Sequence, residues 1–197
     1  MSAVPTVRNS FQMQSSQRTA VTNSVLLKAE LWCTDTTFQD WKITLTIDPS
    51  LSGLRYIHIS LRPSQALITY SAGLPIISAF NSFNPTNRQT IVDFTLSSEA
   101  RTTAWPVEII SMPFVSGITF GMLWGFMIQY FPFYEAPNST LQNGSPHWSI
   151  TVLHELVATG QLMPLPFGAT VYEAARRTIR ARTGPQWTYI EGRFAYY

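Results

Sequence analysis

The sequence predicts an all-β fold, an eight-stranded β-sandwich followed by one C-terminal α-helix. About eight runs carry large apolar residues at alternate positions or in short stretches, as the strands of a half-buried sheet do. Turns containing Gly, Pro or Asn separate these runs. Neither an internal repeat nor a shift in composition marks a second globular domain. The one strong helical signal lies near the C-terminus, in residues 171–182.

The clearest strand pattern upstream is in residues 41–47, where four large apolar side chains are separated by Lys or Thr. Val25–Cys33 precedes it, and residues 54–61 follow after a turn containing Asp48 and Pro49. Residues 73–88 contain two prolines and three asparagines and are predicted as a long loop. The further predicted strands are 65–70, 89–96, 107–112, 118–131 and 147–157.

The longest uncharged stretch, residues 109–134, is open to two interpretations. Large side chains at every second position from Ile118 to Tyr130 favour a core strand. As a helix, it would carry a stripe of small residues like that of paired membrane helices: Gly117, Gly121 and Gly125. However, Pro113 and Pro132 leave only residues 114–131 between them, near the lower limit for a membrane span, and no basic residue flanks the stretch. The strand is therefore favoured.

The helix predicted at residues 171–182 has defined ends. Thr170 followed by Glu173 is a capping-box pattern, and the Ala pair after Glu173 favours helix. Gly184 and Pro185 supply a stop signal.

Charged residues are scarce in this chain. They make up 12% of it, about half of the roughly 25% typical of soluble domains. The basic residues are 11 Arg and only two Lys, and Arg pairs and stacks at interfaces better than Lys does. Since interface cores are depleted in charge, the composition indicates that other subunits cover much of the exterior. The net charge of +2 is too small to indicate a polyanionic partner by itself.

The first 24 residues are polar, with Arg8 and Arg18 as their only charges, and are predicted to be an N-terminal arm that is flexible or ordered by a partner. They contain no apolar segment of the kind found in secretory signals. Cys33 is the only cysteine, which excludes an intrachain disulfide, and it is predicted to be a buried apolar residue.

The sequence shows no motif for catalysis, cofactor binding or metal binding. His58, His147 and His154 are not at ligand spacing, and His154-Glu155 is not continued by a second histidine. No nucleophile elbow and no Gly-rich phosphate loop occurs. His154 is predicted to be a hydrogen-bonded core residue. We therefore expect a protein that is not an enzyme and that uses no catalytic residues, cofactor or metal.

The C-terminal helix and tail combine basic and aromatic side chains. Such a mixture holds single-stranded nucleic acid through phosphate pairing and base stacking, or docks the tail on a neighbouring subunit. Glu173 and Glu191 dilute the charge, which slightly favours docking. The candidate RNA-binding or subunit-docking residues are Arg176, Arg177, Arg180, Arg182 and Arg193. The candidate interface aromatics are Trp187, Tyr189, Phe194, Tyr196 and Tyr197.

Four features of the sequence occur together: the strand series from Val25 to Val157, the polar arm, the Pro-rich loops at 73–88 and 136–146, and the lack of an active-site motif. With these features, the chain resembles the single jelly-roll coat proteins of small single-stranded RNA viruses. The resemblance is one of architecture and composition and includes no signature motif. It implies an eight-stranded jelly-roll β-sandwich with one C-terminal α-helix. Its divisions would be an arm at 1–24, a shell domain at 25–165 and a helix and tail at 166–197.

The same resemblance implies a function. The chain would self-assemble into a large homo-oligomeric shell, a viral capsid, around an RNA genome, and would reside in the virion and, before assembly, in the host cytoplasm. Many members of this family concentrate Arg and Lys at the N-terminus, whereas this arm has only Arg8 and Arg18. Genome contact would therefore shift to the C-terminal arginines.

Two other classes of function fit parts of the sequence. One is a lectin-like carbohydrate-binding β-sandwich, in which exposed Trp and Tyr side chains stack on sugar rings. The other is a small membrane-anchored protein that uses residues 114–131 as its anchor. The coat-protein hypothesis involves no membrane.

Overall fold

A computed structural model describes residues 15–33, 41–51, 53–63, 76–80, 90–100, 107–130, 134–135, 145–185 and 193–194. The helices are α1 (Ser15–Asn23), α2 (Phe120–Tyr130), α3 (Ser145–Ala158) and α4 (Val171–Thr183), with a short 3-10 helix at Pro166–Gly168. The strands are β1 (Val25–Cys33), β2 (Trp41–Leu51), β3 (Leu54–Pro63), β4 (Ile76–Phe80), β5 (Thr90–Ser97), β6 (Val107–Pro113), β7 (Tyr134–Glu135) and β8 (Arg193–Phe194).

Six of these strands form one antiparallel sheet in the order β4-β5-β3-β2-β1-β6. β1, β2 and β3 are consecutive neighbours, β5 continues the sheet beside β3, and β6 returns to the free side of β1. The two short strands β7 and β8 pair with each other. The sheet therefore places the last long strand next to the first.

The register of the sheet aligns apolar residues of neighbouring strands in two rows. Both rows cross five strands, and all ten residues are buried. The first row is Ile110, Leu31, Ile43, Ile59 and Phe94, and the second is Met112, Ala29, Leu45, Ile57 and Leu96. Because cross-strand partners point to the same side, the two rows give the sheet one continuous apolar face.

Helices cover this apolar face. The ring of Phe94 packs edge-on against Phe120 and Trp124 of α2, at centroid distances of 5.8 and 4.8 Å. α3 contacts β2, and its Trp148 is fully buried in the same core. α4 lies along β6, where the Thr178 hydroxyl donates to the backbone carbonyl of Ile109 at 3.2 Å. Sheet and helices thus form a two-layer α/β arrangement.

The predicted eight-stranded jelly-roll β-sandwich with one C-terminal helix is wrong. One antiparallel sheet and four helices stand in its place. The strands predicted at 25–33, 41–47, 54–61, 89–96 and 107–112 are confirmed as β1, β2, β3, β5 and β6, and the helix predicted at 171–182 is confirmed as α4. The predicted loop at 73–88 contains β4, and the predicted strand at 65–70 lies outside the described residues.

The segment predicted as the longest strand, 118–131, is instead the helix α2. Its buried residues Phe120, Leu123 and Met127 recur at three- and four-residue spacing, which is the period of a helix. Gly121 has a specific function in this helix, since a Cβ there would lie 2.6 Å from Cγ2 and 3.0 Å from the backbone oxygen of Thr22 in α1. The missing side chain therefore lets two helices approach closely, a benefit that outweighs the low helix propensity of glycine.

The strand predicted at 147–157 is the helix α3. Every residue from Trp148 to Leu153 is buried, so the helix has no polar face whose period would distinguish it from a buried strand. Pro146 in its first turn is compatible with a helix start, because the first residues of a helix need no backbone donor. Gly160, at φ 73°, follows its end.

The polar N-terminal stretch contributes to the core. Its residues 15–23 form α1, which packs against α2, and Val21 is buried. The Ser24 hydroxyl donates to the backbone carbonyl of Ala20 at 2.9 Å, just before β1 begins. Residues 1–14 lie outside the described part of the chain.

Among the described residues, no helix is long and apolar enough to cross a membrane. α2, which the membrane-anchor alternative requires, has 11 residues.

A matched pair of glycine substitutions tests the contact between α1 and α2. Gly121→Ala should lower the free energy of unfolding by about 1–2 kcal/mol, because overpacking against the Thr22 backbone outweighs the gain in helix propensity. Gly125→Ala in the same helix meets no atom within 4 Å and should raise it by up to about 1 kcal/mol. Urea unfolding measures both, and equal effects at the two positions would contradict the close contact.

Candidate functional site

The most distinctive surface in the described part of the chain is on α4, and both ends of this helix are fixed. The Glu173 backbone N–H donates to the Thr170 hydroxyl oxygen at 3.1 Å, and the Thr170 backbone N–H donates to the Glu173 carboxylate at 2.9 Å. The predicted capping box is thus confirmed. Gly184, at φ 93°, ends the helix, and its N–H donates to the carbonyl of Arg180 at 2.9 Å.

One side of α4 is packed against the rest of the protein. Its buried residues are Val171, Ala174, Ala175 and Ile179. The Tyr172 hydroxyl hydrogen-bonds the Thr151 hydroxyl of α3 at 2.9 Å, and the Tyr172 ring lies 5.1 Å from the ring of His154. His154, predicted to be a core residue, is half-buried at this contact. These contacts fix the rotation of α4 and hence the direction in which its other side faces.

The other side carries Arg176, Arg177 and Arg180, and Arg182 is exposed at the C-terminal end of the helix; we call these four residues the arginine face. Three of them are exposed and Arg180 is half-buried. Four of the 13 basic residues of the chain thus lie within seven positions on one helix. The structure brings together four of the five arginines predicted as candidate site residues.

Glu173 is the only acidic residue of α4, and its carboxylate is already engaged. Hydrogen bonds from the Thr170 backbone N–H and hydroxyl, both 2.9 Å, hold its pKa below the ordinary value, and the positive charge of Arg177 acts in the same direction. Glu173 therefore stays ionised at the N-terminal end of α4, where a negative charge suits the helix dipole. The arginine face has no other acid from its own helix.

The remaining predicted site residues are only partly located. Arg193 and Phe194 form β8, opposite Glu135 and Tyr134 of β7. The candidate interface aromatics other than Phe194 lie outside the described residues: Trp187, Tyr189, Tyr196 and Tyr197.

Phe167 is a surface residue that sequence reasoning missed. It occupies the middle of the 3-10 helix Pro166–Gly168 at φ 60° and ψ 22°, and among the described residues it is the only non-glycine with positive φ. Such a backbone conformation costs a bulky residue on the order of 1 kcal/mol or more. Its side chain is fully exposed, at 106% of the reference area. The flanking Pro and Gly indicate a turn in the sequence, but they do not indicate that the aromatic ring points outward.

A second polar group lies on the face of the sheet opposite the helices. Cross-strand pairing places Ser111, Glu30, Thr44 and His58 in one row, and all but Ser111 are buried. Nε2 of His58 lies 3.0 Å from the backbone carbonyl of Glu99, and Nδ1 lies 2.9 Å from the Thr44 hydroxyl. Because a carbonyl only accepts, Nε2 carries the proton, and the Thr44 hydroxyl donates to Nδ1.

The types of group in this row match those of a catalytic site, with a hydroxyl nucleophile, a base and an orienting group, but a substrate could not reach the hydroxyl. Thr44 and His58 are at hydrogen-bond distance and the Glu99 carbonyl orients the imidazole, as in activated hydroxyl nucleophiles. However, Thr44 is 1% exposed, and its hydroxyl is enclosed within the row. Glu30, also buried, pairs with Lys28 at 2.9 Å. We interpret the row as structural, because its hydrogen bonds join β2 and β3 to the segment after β5.

Within the described residues, no group of three His, Cys, Asp or Glu side chains could hold a metal ion. No protein family, curated protein or solved structure matches the chain. Its function must therefore be inferred from the geometry of its own residues.

Acidification should destabilise the protein through His58. Burial, and to a lesser degree the positive charge of Lys42, lower its pKa below 6.5 in the fold, although the Glu99 carbonyl opposes this. The unfolded chain then binds the proton first. The contribution of His58 to stability is therefore complete above about pH 6.5 and is lost as the pH falls from there towards the lowered pKa of the folded state.

Urea unfolding at several pH values between about 7.5 and 5 measures this dependence. His58→Gln should lower stability at all pH values but flatten the loss below pH 6.5. His154→Gln, at a half-buried histidine on α3, is the matched control for the loss of a histidine side chain. An unaltered slope in His58→Gln would exclude His58 as its source.

Proposed function

We propose that the protein binds polyanions, in particular the phosphate backbone of RNA, through the arginine face of α4. The observation that supports this most directly is the grouping of Arg176, Arg177 and Arg180 on the outward side of a helix whose inward side is buried, with Arg182 exposed at its C-terminal end. Guanidinium groups form bidentate hydrogen bonds with phosphate oxygens, so such a group suits a phosphate backbone.

The spacing of the arginines suits a repeating anion. At 1.5 Å per residue and 3.6 residues per turn, Arg176 and Arg180 are about 6 Å apart along the helix axis and on the same side of the helix. This distance corresponds to between one and two nucleotide steps of about 3.4 Å in a helical strand. Several guanidinium groups can therefore meet successive phosphates of one strand without any movement of the backbone.

Docking of the arginine face on a second copy of the chain is less favourable. A symmetric contact would bring like charges together, which costs free energy. An asymmetric contact needs an acidic counterpart, and the exposed acids of the described residues lie singly on different segments: Asp48, Glu99, Glu108 and Glu173. Phosphate is the better partner, because it brings several negative charges at regular spacing.

Removal of the exposed arginines should weaken RNA binding and its dependence on salt. Each phosphate contact on a single strand contributes about −0.7 to the slope of log K against log salt concentration. Replacing Arg176, Arg177 and Arg182 with Gln should therefore make the slope less negative by about 2. Fluorescence anisotropy with a labelled oligouridine over about 50–200 mM NaCl measures this slope.

Arg55→Gln is the matched single-charge control, because Arg55 is exposed on β3, away from α4. It should change affinity much less than Arg176→Gln. Replacement of the same three arginines with Lys should keep most of the salt slope, because the charges remain. Equal effects of Arg55→Gln and Arg176→Gln, or no RNA binding by the unaltered protein, would exclude the arginine face as the site.

Assembly into a shell around RNA is a second proposal, and composition alone supports it. Charged residues form only 12% of the chain, and Arg predominates over Lys, as at subunit interfaces. The jelly-roll that carried the resemblance to coat proteins is not the fold of this chain, and the lectin-like alternative also required a sandwich.

If copies of the chain form a shell, the purified full-length protein should sediment as large particles of uniform size. The Arg176→Gln, Arg177→Gln, Arg182→Gln variant should then still assemble while it retains less RNA, because the arginine face contacts the ligand and not another subunit. A monomer that persists over a wide range of pH and salt would exclude the shell.

A further inference from the structure

Phe167 is displayed by a turn that is fixed on both sides. Before it, Leu165 packs partly buried against the core, and after it Val171 is buried at the start of α4. Within the turn, Pro166 restricts the backbone, and the Ala169 N–H lies 3.4 Å from the Pro166 carbonyl. The Phe167 ring is therefore held away from the protein by a stiff support.

The conformation of Phe167 is unfavourable for the isolated chain on two counts. Its backbone is in the left-handed region that bulky side chains avoid, and its large apolar ring is fully exposed. A strained residue of this kind is a reason to look for a function at that position. A ligand that covers the ring would supply the contacts that the described residues do not.

The position of Phe167 suggests which ligand that is. Three residues, and so four residue steps, separate it from Val171, the first residue of α4, and Arg176 follows about 7.5 Å along the helix axis. Fully extended, those four residue steps span at most about 14 Å, so the Cα atoms of Phe167 and Arg176 are no more than about 22 Å apart. A partner that covers both must offer a flat apolar surface next to negative charges.

Nucleotides of a single strand have this combination. An unpaired base presents a π-face that stacks on an aromatic ring, and its phosphates are available to arginines. Bases in a duplex are stacked on each other and leave no free π-face inside the helix for an aromatic side chain. We propose that Phe167 is the base-stacking residue of the arginine face, so that the ligand is single-stranded rather than double-stranded RNA. This inference rests on the proposed function.

Binding to three ligands distinguishes the contribution of base stacking from that of charge. The ligands are an oligouridine of about 12 nucleotides, an RNA duplex of the same length, and heparin, which has negative charges and no bases. Each is labelled, or is used as a competitor. Phe167→Ala should weaken binding of the single strand by roughly 5- to 150-fold, the range for loss of one stacked base. It should change binding of the duplex and of heparin by less than about twofold, because those contacts depend on charge. Phe167→Trp should restore binding of the single strand.

Met163→Ala is the matched control. Met163 is half-exposed on the same segment but has no ring, and its loss should leave all three affinities unchanged. Alanine at position 167 is also a non-glycine residue, so the variant keeps the backbone strain. The melting temperature of Phe167→Ala should equal that of the unaltered protein, because the side chain that it removes is fully exposed.

The outcomes distinguish the two proposals. If the unaltered protein binds none of the three ligands, the arginine face is not a polyanion site and the proposed function fails. If it binds all three and Phe167→Ala changes none of them, the stacking role is wrong while the arginine face stands. A parallel loss of heparin binding and melting temperature in Phe167→Ala would show a structural role instead. A change in sedimentation without a change in RNA affinity would assign the ring to a protein contact.

Discussion

The antiparallel register of the sheet is the constraint on which the rest of the structure depends. It aligns the rows that contain Leu31 and Ala29 across five strands and so creates one apolar face. α2, α3 and α4 bury that face, and α4 must turn its small apolar residues inward to do so. Arg176, Arg177 and Arg180 of this helix therefore face outward. A shift of one residue in a central strand would exchange its two faces and interrupt the apolar surface on which the helices pack.

The opposite face of the sheet shows how polar groups are accommodated at its centre. The Thr44 hydroxyl donates a hydrogen bond to Nδ1 of His58, the Nε2–H of His58 donates to the Glu99 carbonyl, and Lys28 forms an ion pair with Glu30. Each of these polar groups would destabilise the fold if it were buried without a partner. Removal of one partner should therefore lower the stability of the protein by more than the loss of one hydrogen bond. The row is well suited to fixing register and poorly suited to turnover, since its hydroxyl is inaccessible.

Five strands and α4 could be predicted from the sequence because their signals are local. Alternation in residues such as Ile43 and Leu45 reports one buried face, and Thr170 with Glu173 reports a cap. α3 could not, because its centre is buried all round and has no polar period. α2 could not, because its exposed positions Met122 and Gly125 are not polar, and the reason for Gly121 lies in α1, distant in sequence. Likewise, the arginines were recognisable from the helix pattern, whereas the outward display of Phe167 depends on a turn geometry set by packing on both sides.

The return of β6 to the side of β1 has a consequence for how the chain folds. Val25–Cys33 is made early, yet its second neighbour, Val107–Pro113, follows about 80 residues later, and the helices that cover both come later still. A partly synthesised chain therefore holds an uncovered apolar sheet surface until α2, α3 and α4 have also left the ribosome. Contacts so distant in sequence slow folding and prolong exposure to aggregation, so production of this protein should benefit from slow translation or from chaperones that bind nascent chains.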